Sequence, residues 1–308
     1  MSPWRKRARR VLPAIVSLGA LSALLSQVDT RALVGALSWK IAAWLVPALL
    51  LYGAATLAIE ALCLVLLVRP RSLDFGLWTA ARLKCASYLL LSLHYALGVG
   101  ALSVLLRRRT GLPLGESAGI TVLIFAADVV AVFALASAGV AFLGLDLPAG
   151  WILLGLGAAL VAGLALLRSP ASLGPLEGLR QLSFFDALRR AQLSQLLALL
   201  CLRGLFSSCF VAVTGAAFLC FDLFPELPRL ASGILVVAMV SALPIAVGGL
   251  GTSQAAFLYV FRGLAEPERL LAVSLVLTAG MIALRVGMGL AFAREYAREA
   301  LSQLQDAT

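Results

Sequence analysis

The sequence predicts an all-α integral membrane protein, a polytopic helix bundle, and three observations predict it. Apolar residues make up 62% of the 308 residues and charged residues only 13%, with a mean hydropathy of +1.01. An ordinary soluble domain is about 45–50% apolar and about 25% charged, so the surplus exceeds what one core of this length encloses. The apolar residues come in long runs, several of them matching the roughly 20 residues that a helix needs to cross a bilayer. The basic residues fall in short clusters between those runs, where they act as topology signals. The same figures exclude a disordered chain, a collagen-like fibre and a disulfide scaffold. A pI of 10.0 does not make this a nucleic-acid binder, because the basic residues are not gathered on a soluble face among aromatics.

The whole of 1–308 reads as one transmembrane domain, with a basic cytoplasmic N-terminus over 1–10 and a cytoplasmic tail over 293–308. Arg5, Lys6, Arg7, Arg9 and Arg10 precede an apolar run from Val11 to Gln27. No small-residue cleavage site follows and more spans come after, which makes that run a retained anchor. Val28 to Lys40 is too short and too polar to cross, and its Leu33, Leu37 and Trp39 suit a helix lying at the interface. Ile41 to Val68 crosses with tilt. Further spans read as Ala118 to Leu143, Ala149 to Leu167, Leu193 to Phe221 and Leu271 to Phe292. Between them, Leu176 to Arg190 sets Phe184, Phe185 and Leu188 beside Arg180, Arg189 and Arg190, the pattern of a surface helix drawn to anionic lipid.

Two apolar stretches do not fit simple crossings. Cys85 to Leu106 contains Gly98 and Gly100 and is flanked by Arg82 and Lys84 on one side and Arg107, Arg108 and Arg109 on the other. A single crossing would place one basic cluster outside, so the expectation is a re-entrant segment that enters from the cytoplasm, breaks at the glycines and returns. Leu230 to Phe261 contains Pro244 and then Gly248, Gly249, Leu250 and Gly251, which reads as two half-helices meeting at a break. Its acidic or mixed flanks have it enter from outside. With this layout, of 25 basic residues only Arg31, Lys40, Arg229, Arg262 and Arg269 fall outside, and Arg203 and Arg285 lie in the membrane. Both termini come out cytoplasmic. One broken hairpin from each side, followed by a basic residue and then a charged span (Gly98, Arg109, Asp128; Gly248, Arg262, Arg285), suggests an inverted repeat of the transporter kind.

Ionisable groups inside spans are costly and become functional candidates by default: Glu60, Asp128, Arg203 and Arg285. Each sits roughly 10–15 Å from its cytoplasmic helix end, so the four can share one layer. They read either as structural ion pairs or as a charged cavity for a lipid headgroup, and Asp128 is expected to approach Arg285. The break at Gly248, Gly249 and Gly251 is followed by Thr252 and Ser253, good N-cap residues for the next half-helix, and a helix N-terminus at membrane depth suits phosphate or carboxylate. The alternative is close helix packing at small residues. His94, beside the first break, reads first as a satisfied buried histidine and second as a headgroup or proton-transfer group. The five cysteines lack CxxC or Cys/His spacing and read as small core residues. No catalytic constellation, metal site or cofactor is expected, and no Walker A motif is present.

The segment LPIAVGGLGTSQ, Leu243 to Gln254, followed by a charged loop and a span holding Arg285, resembles the lysylphosphatidylglycerol-synthase transmembrane family, also called flippase-like. Pro244, Gly248, Gly249 and Gly251 match the family's motif, and Gln254 stands where the family usually has Glu. The first hairpin, SLHYALGVG with its RRRTG exit at Arg107 to Gly111, sits where the family has another Pro-Gly motif, without the Pro. The resemblance implies translocation or handling of a lipid with a polar or phosphate headgroup. The binding side chains would be Gln254, Thr252, Ser253, His94, Glu60, Asp128, Arg203 and Arg285. It implies a multi-pass protein of the bacterial cytoplasmic membrane, without the family's soluble aminoacyl-transferase domain. Membrane lipids are the expected partners; a homo-oligomer or a lipid-synthesis enzyme as protein partner stays open. Two other functions stand beside translocation: a non-transporting partner of a lipid-synthesis complex, and a membrane-embedded lipid transferase, from which the scattered acids lean away.

Overall fold

A computed structural model describes residues 39–93, 95–143, 185–242 and 251–305, together with single helical positions at 155, 158, 162 and 165. The expected anchor at 11–27, His94, Pro244, Gly248 and Gly249 lie outside the described residues, as do most of the interface helix at 28–40, the span at 149–167 and the surface helix at 176–190; Trp39 and Lys40 belong to the first described helix. Among the described residues there are nine α-helices and no strand: α1 (Trp39–Val68), α2 (Leu77–Leu93), α3 (Tyr95–Thr110), α4 (Leu114–Leu143), α5 (Asp186–Arg190), α6 (Leu193–Cys220), α7 (Leu227–Ala242), α8 (Thr252–Val260) and α9 (Pro267–Gln305). Four stretches are long and apolar enough to cross a membrane: Ala43–Val68, Leu114–Ala136, Leu193–Cys220 and Pro267–Phe292. They coincide with four of the expected spans.

These helices are apolar on all sides. In α1, Leu45, Leu49 and Tyr52 are buried, while Trp44, Leu50 and Leu51 stand exposed. A water-soluble helix would carry charge on that second face; one that meets lipid need not.

The chain forms two compact units. The first takes Met1–Tyr52, Val132–Gly150 and Ser207–Met281; the second takes Gly53–Ala131, Trp151–Phe206 and Ile282–Thr308. In the first unit, Phe218 of α6 stacks on Phe257 of α8 with centroids 5.4 Å apart, and Phe261 closes the trio at 4.9 Å from Phe218. Helix α7 lies directly against this cluster, since a side-chain carbon at Gly233 would come within 2.6 Å of Val260. At its start Arg229 donates to the carbonyl of Arg262 at 2.6 Å, satisfying an acceptor that the end of α8 leaves open.

In the second unit, α2 and α3 form a helical hairpin with His94 between them. The chain does not break at the glycines: Gly98 and Gly100 both lie inside α3. Gly98 serves contact instead, because a side-chain carbon on it would fall 2.7 Å from the Leu91 backbone. Helix α3 ends where its chemistry says it should. Arg107, Arg108 and Arg109 occupy the last turn, where the carbonyl end of the helix favours cations. Gly111 follows with a φ of +74° and donates to the Arg107 carbonyl at 2.8 Å. Beyond the end of α1, Arg71 pairs with Glu116 in the first turn of α4 at 2.6 Å and donates to the Leu67 carbonyl. Arg71 therefore ties two helices together.

Candidate functional site: a buried charge cluster

The second unit gathers ionisable side chains from four helices. Glu60 lies on α1, about 12 Å before its C-terminal end; Lys84 and Tyr88 lie one turn apart on α2; Asp128 lies on α4 and Arg203 on α6. The guanidinium of Arg203 donates to Asp128 Oδ1 through Nη2 at 2.7 Å and through Nε at 2.9 Å. Its Nη1 stands 3.9 Å from Glu60 Oε1. Lys84 Nζ approaches the same Oε1 at 3.1 Å, and the Tyr88 hydroxyl donates to Glu60 Oε2. Two carboxylates and two cations thus form one network with no formal net charge.

Burial makes the arrangement costly and hence informative. The Arg203 side chain is 5% exposed and Glu60 11%, whereas Asp128 is 26% exposed. Charges taken out of water lose several kcal/mol each, repaid only by close, well-directed partners. Glu60 has such a partner on each oxygen. Arg203 has them on two of its three nitrogens; Nη1 is buried with no hydrogen-bond partner among the described residues. The Cys63 thiol lies beside the guanidinium, but a thiol is a weak acceptor. Phe206, with its ring 4.3 Å from the guanidinium carbon, covers another face.

Of the four span charges picked out in the sequence, three meet here. Arg285 does not pair with Asp128 as expected: Asp128 takes Arg203 as its ion-pair partner. Arg285, partly exposed on α9, acts on the cluster from electrostatic range of Tyr88. The sequence reading missed Lys84 and Tyr88. Lys84 was counted with Arg82 as a flanking cation, but α2 begins at Leu77, which puts Lys84 about 10 Å inside a helix. The signal was available in its spacing: Lys84 and Tyr88 are four residues apart and share a helical face.

The other predicted locus lies in the first unit. Gly251, with a φ of +87°, precedes α8, so Thr252 is the first helical residue and is not the N-cap. In a capping box the side chain three residues on reaches back to the N-cap N–H. That role falls to Gln254. Its Oε1 accepts from the Gly251 N–H at 2.6 Å and from the Ser253 hydroxyl at 3.1 Å, and its Nε2 donates to Thr278 Oγ1 on α9 at 3.3 Å. Gln254 is 0% exposed. Its amide is therefore committed to holding α8 against α9. Glu at this position could accept the same two hydrogen bonds, but it would lack the donor that Thr278 receives.

A chain whose described residues hold four helices long and apolar enough to cross a membrane and an interior charge network can now be set against known families. The family model described as the lysylphosphatidylglycerol synthase TM region matches residues 10–288. The chain belongs to that family. No curated protein matches it. Membership in the lysylphosphatidylglycerol synthase TM family ties this multi-pass membrane protein to lipid handling. The match takes in every residue of the charge cluster and the whole Gly251–Gln254 device.

Proposed function

We propose that the protein is a lipid translocase of the bacterial cytoplasmic membrane, with both termini in the cytoplasm, handling a lipid with a phosphate-bearing headgroup. One observation carries the reading: Glu60, Lys84, Asp128 and Arg203 converge from four helices into a neutral, enclosed network. Arg203 Nη1 has the Glu60 carboxylate at 3.9 Å and no hydrogen-bond partner among the described residues. A headgroup phosphate supplies the acceptor such a nitrogen lacks, while the acyl chains stay in the bilayer.

A second reading, a non-transporting partner of a lipid-synthesis complex, is favoured by Gln254, whose polar atoms are taken up in holding α8 in place. Reconstituted vesicles carrying fluorescent phosphatidylglycerol separate the two. Translocation above empty-vesicle rates, lowered about tenfold or more by Arg203→Gln, supports transport. Wild-type protein that moves no lipid faster than empty vesicles leaves the partner reading in its place.

A further inference from the structure

Arg203 is shared unequally between two carboxylates, and the two carboxylates are held differently. Glu60 has Lys84 on Oε1 and Tyr88 on Oε2, so each of its oxygens keeps a partner even without Arg203. Asp128 receives both of its Arg203 hydrogen bonds on Oδ1 and is the most exposed of the four charged side chains. Protonating Asp128 therefore gives up one partner, Arg203, whereas Glu60 is held by Lys84 and Tyr88 as well. We propose that Asp128 is a proton-coupling site: its protonation releases Arg203, which then holds a phosphate monoanion, so that proton and anion load together.

Charge balance is the reason for the coupling. With Asp128 ionised, the network of Glu60, Lys84, Asp128 and Arg203 is neutral. With Asp128 protonated it carries one positive charge, and a bound monoanion returns it to neutrality. The empty ionised state and the doubly loaded state are both tolerated in an apolar interior, whereas a state loaded with only one partner leaves an unbalanced charge there. Each ligand thus raises the affinity for the other by the same factor. Released from Asp128, Arg203 offers Nε and Nη2 together with the already open Nη1, a fork that matches phosphate oxygens. Other groups that face or act on this site are Cys63 on α1, Cys85 and Tyr88 on α2, and Arg285 on α9, in addition to Glu60 and Lys84. The inference rests on the lipid-handling reading of the same cluster and adds an energy source to it.

The test uses purified full-length protein in lipid nanodiscs and two phosphodiesters whose charge is constant over the working range: dimethyl phosphate and dioctanoyl phosphatidylglycerol. Between about pH 5 and about pH 8, wild-type affinity should fall as pH rises, approaching tenfold per pH unit where one proton is fully coupled. Binding in weak buffer should take up close to one proton. Binding of dimethyl phosphate would show that the headgroup chemistry suffices; binding of the lipid alone would show that acyl chains are also required. Asp128→Asn should bind the anion without pH dependence and without proton uptake. Should Asp128→Asn fail to fold, Asp128→Glu should shift the midpoint of the pH dependence. Wild-type binding that ignores pH, no binding of either probe, or undiminished proton uptake in Asp128→Asn overturns the proposal, as does an unmoved midpoint in Asp128→Glu. Proton-linked binding without lipid translocation sinks the translocase reading and leaves this one. Translocation that takes up no proton and ignores an imposed pH gradient does the reverse.

Discussion

Arg203 ties the cluster together because, among the described residues, it alone pairs with both acids, at 2.7 Å to Asp128 and 3.9 Å to Glu60. Removing one partner of a buried ion pair costs about 3–5 kcal/mol, since the survivor stays charged in a poor solvent. Arg203→Gln and Asp128→Asn should each lower stability in detergent on that scale, and the double variant should lose clearly less than their sum. Asp128→Asn combined with Arg285→Gln should instead add to within about 0.5 kcal/mol, because the two do not share an ion pair. Chemical denaturation of the four variants checks both statements, and strict additivity for the first pair would mean that Asp128 and Arg203 do not depend on each other. At this scale Glu60, Asp128 and Arg203 were legible in the sequence: a charge inside an apolar run announces itself. Their partners were harder to read. Lys84 stands two residues from Arg82, and composition alone does not say whether such a pair flanks a helix or lies within one.

The helical hairpin shows how similar residues can do different jobs within one element. Gly98 and Gly100 both lie in α3, but only Gly98 meets another helix; a side-chain carbon at Gly100 would enter open space. Gly98→Ala should force α2 and α3 apart and cost about 1–3 kcal/mol, the range for overpacking. Gly100→Ala should be neutral or stabilise by up to about 1 kcal/mol, the difference in helix propensity. Thermal unfolding of the two variants decides it; equal losses would mean that Gly98 is not a contact position. Gln254 makes the same point in α8. Gln254→Leu removes the acceptor that Gly251 and Ser253 share, a loss of about 1–3 kcal/mol for unsatisfied buried donors. Gln254→Glu keeps that acceptor and should recover part of the loss. Element ends governed by local chemistry, such as the Arg107–Gly111 exit, could be read from sequence. The unbroken course of α3 through Gly98 and Gly100 could not, because glycines invite a break even where the fold uses them for close packing.

For the molecule as a whole, the four described crossing helices followed from length and hydropathy, because a run that must satisfy its backbone in lipid has few alternatives to a helix. Helices α2 and α3 are a different case. At 17 and 16 residues they are about 25 Å long, short of a hydrocarbon core of about 30 Å. Each is therefore poorly suited to cross alone, and pairing them as a hairpin that enters and returns keeps Arg82 on the same side as Arg107, Arg108 and Arg109. The exposed positions Asp74 and Arg108 lie before and after this hairpin, and Arg190, Glu226 and Glu266 are exposed at other helix ends. With the five native cysteines replaced, single cysteines at Asp74, Arg108 and Arg190 should react with an impermeant thiol reagent only from the cytoplasmic side. Cysteines at Glu226 and Glu266 should react only from the opposite side. The decisive comparison is Asp74 against Arg108. Labelling of both from one face fits a hairpin that does not cross, with Lys84 and Tyr88 carried to the cluster from the cytoplasmic side. Labelling from opposite faces would make α2 and α3 a single broken crossing, place Arg107, Arg108 and Arg109 outside against their charge preference, and end the re-entrant reading.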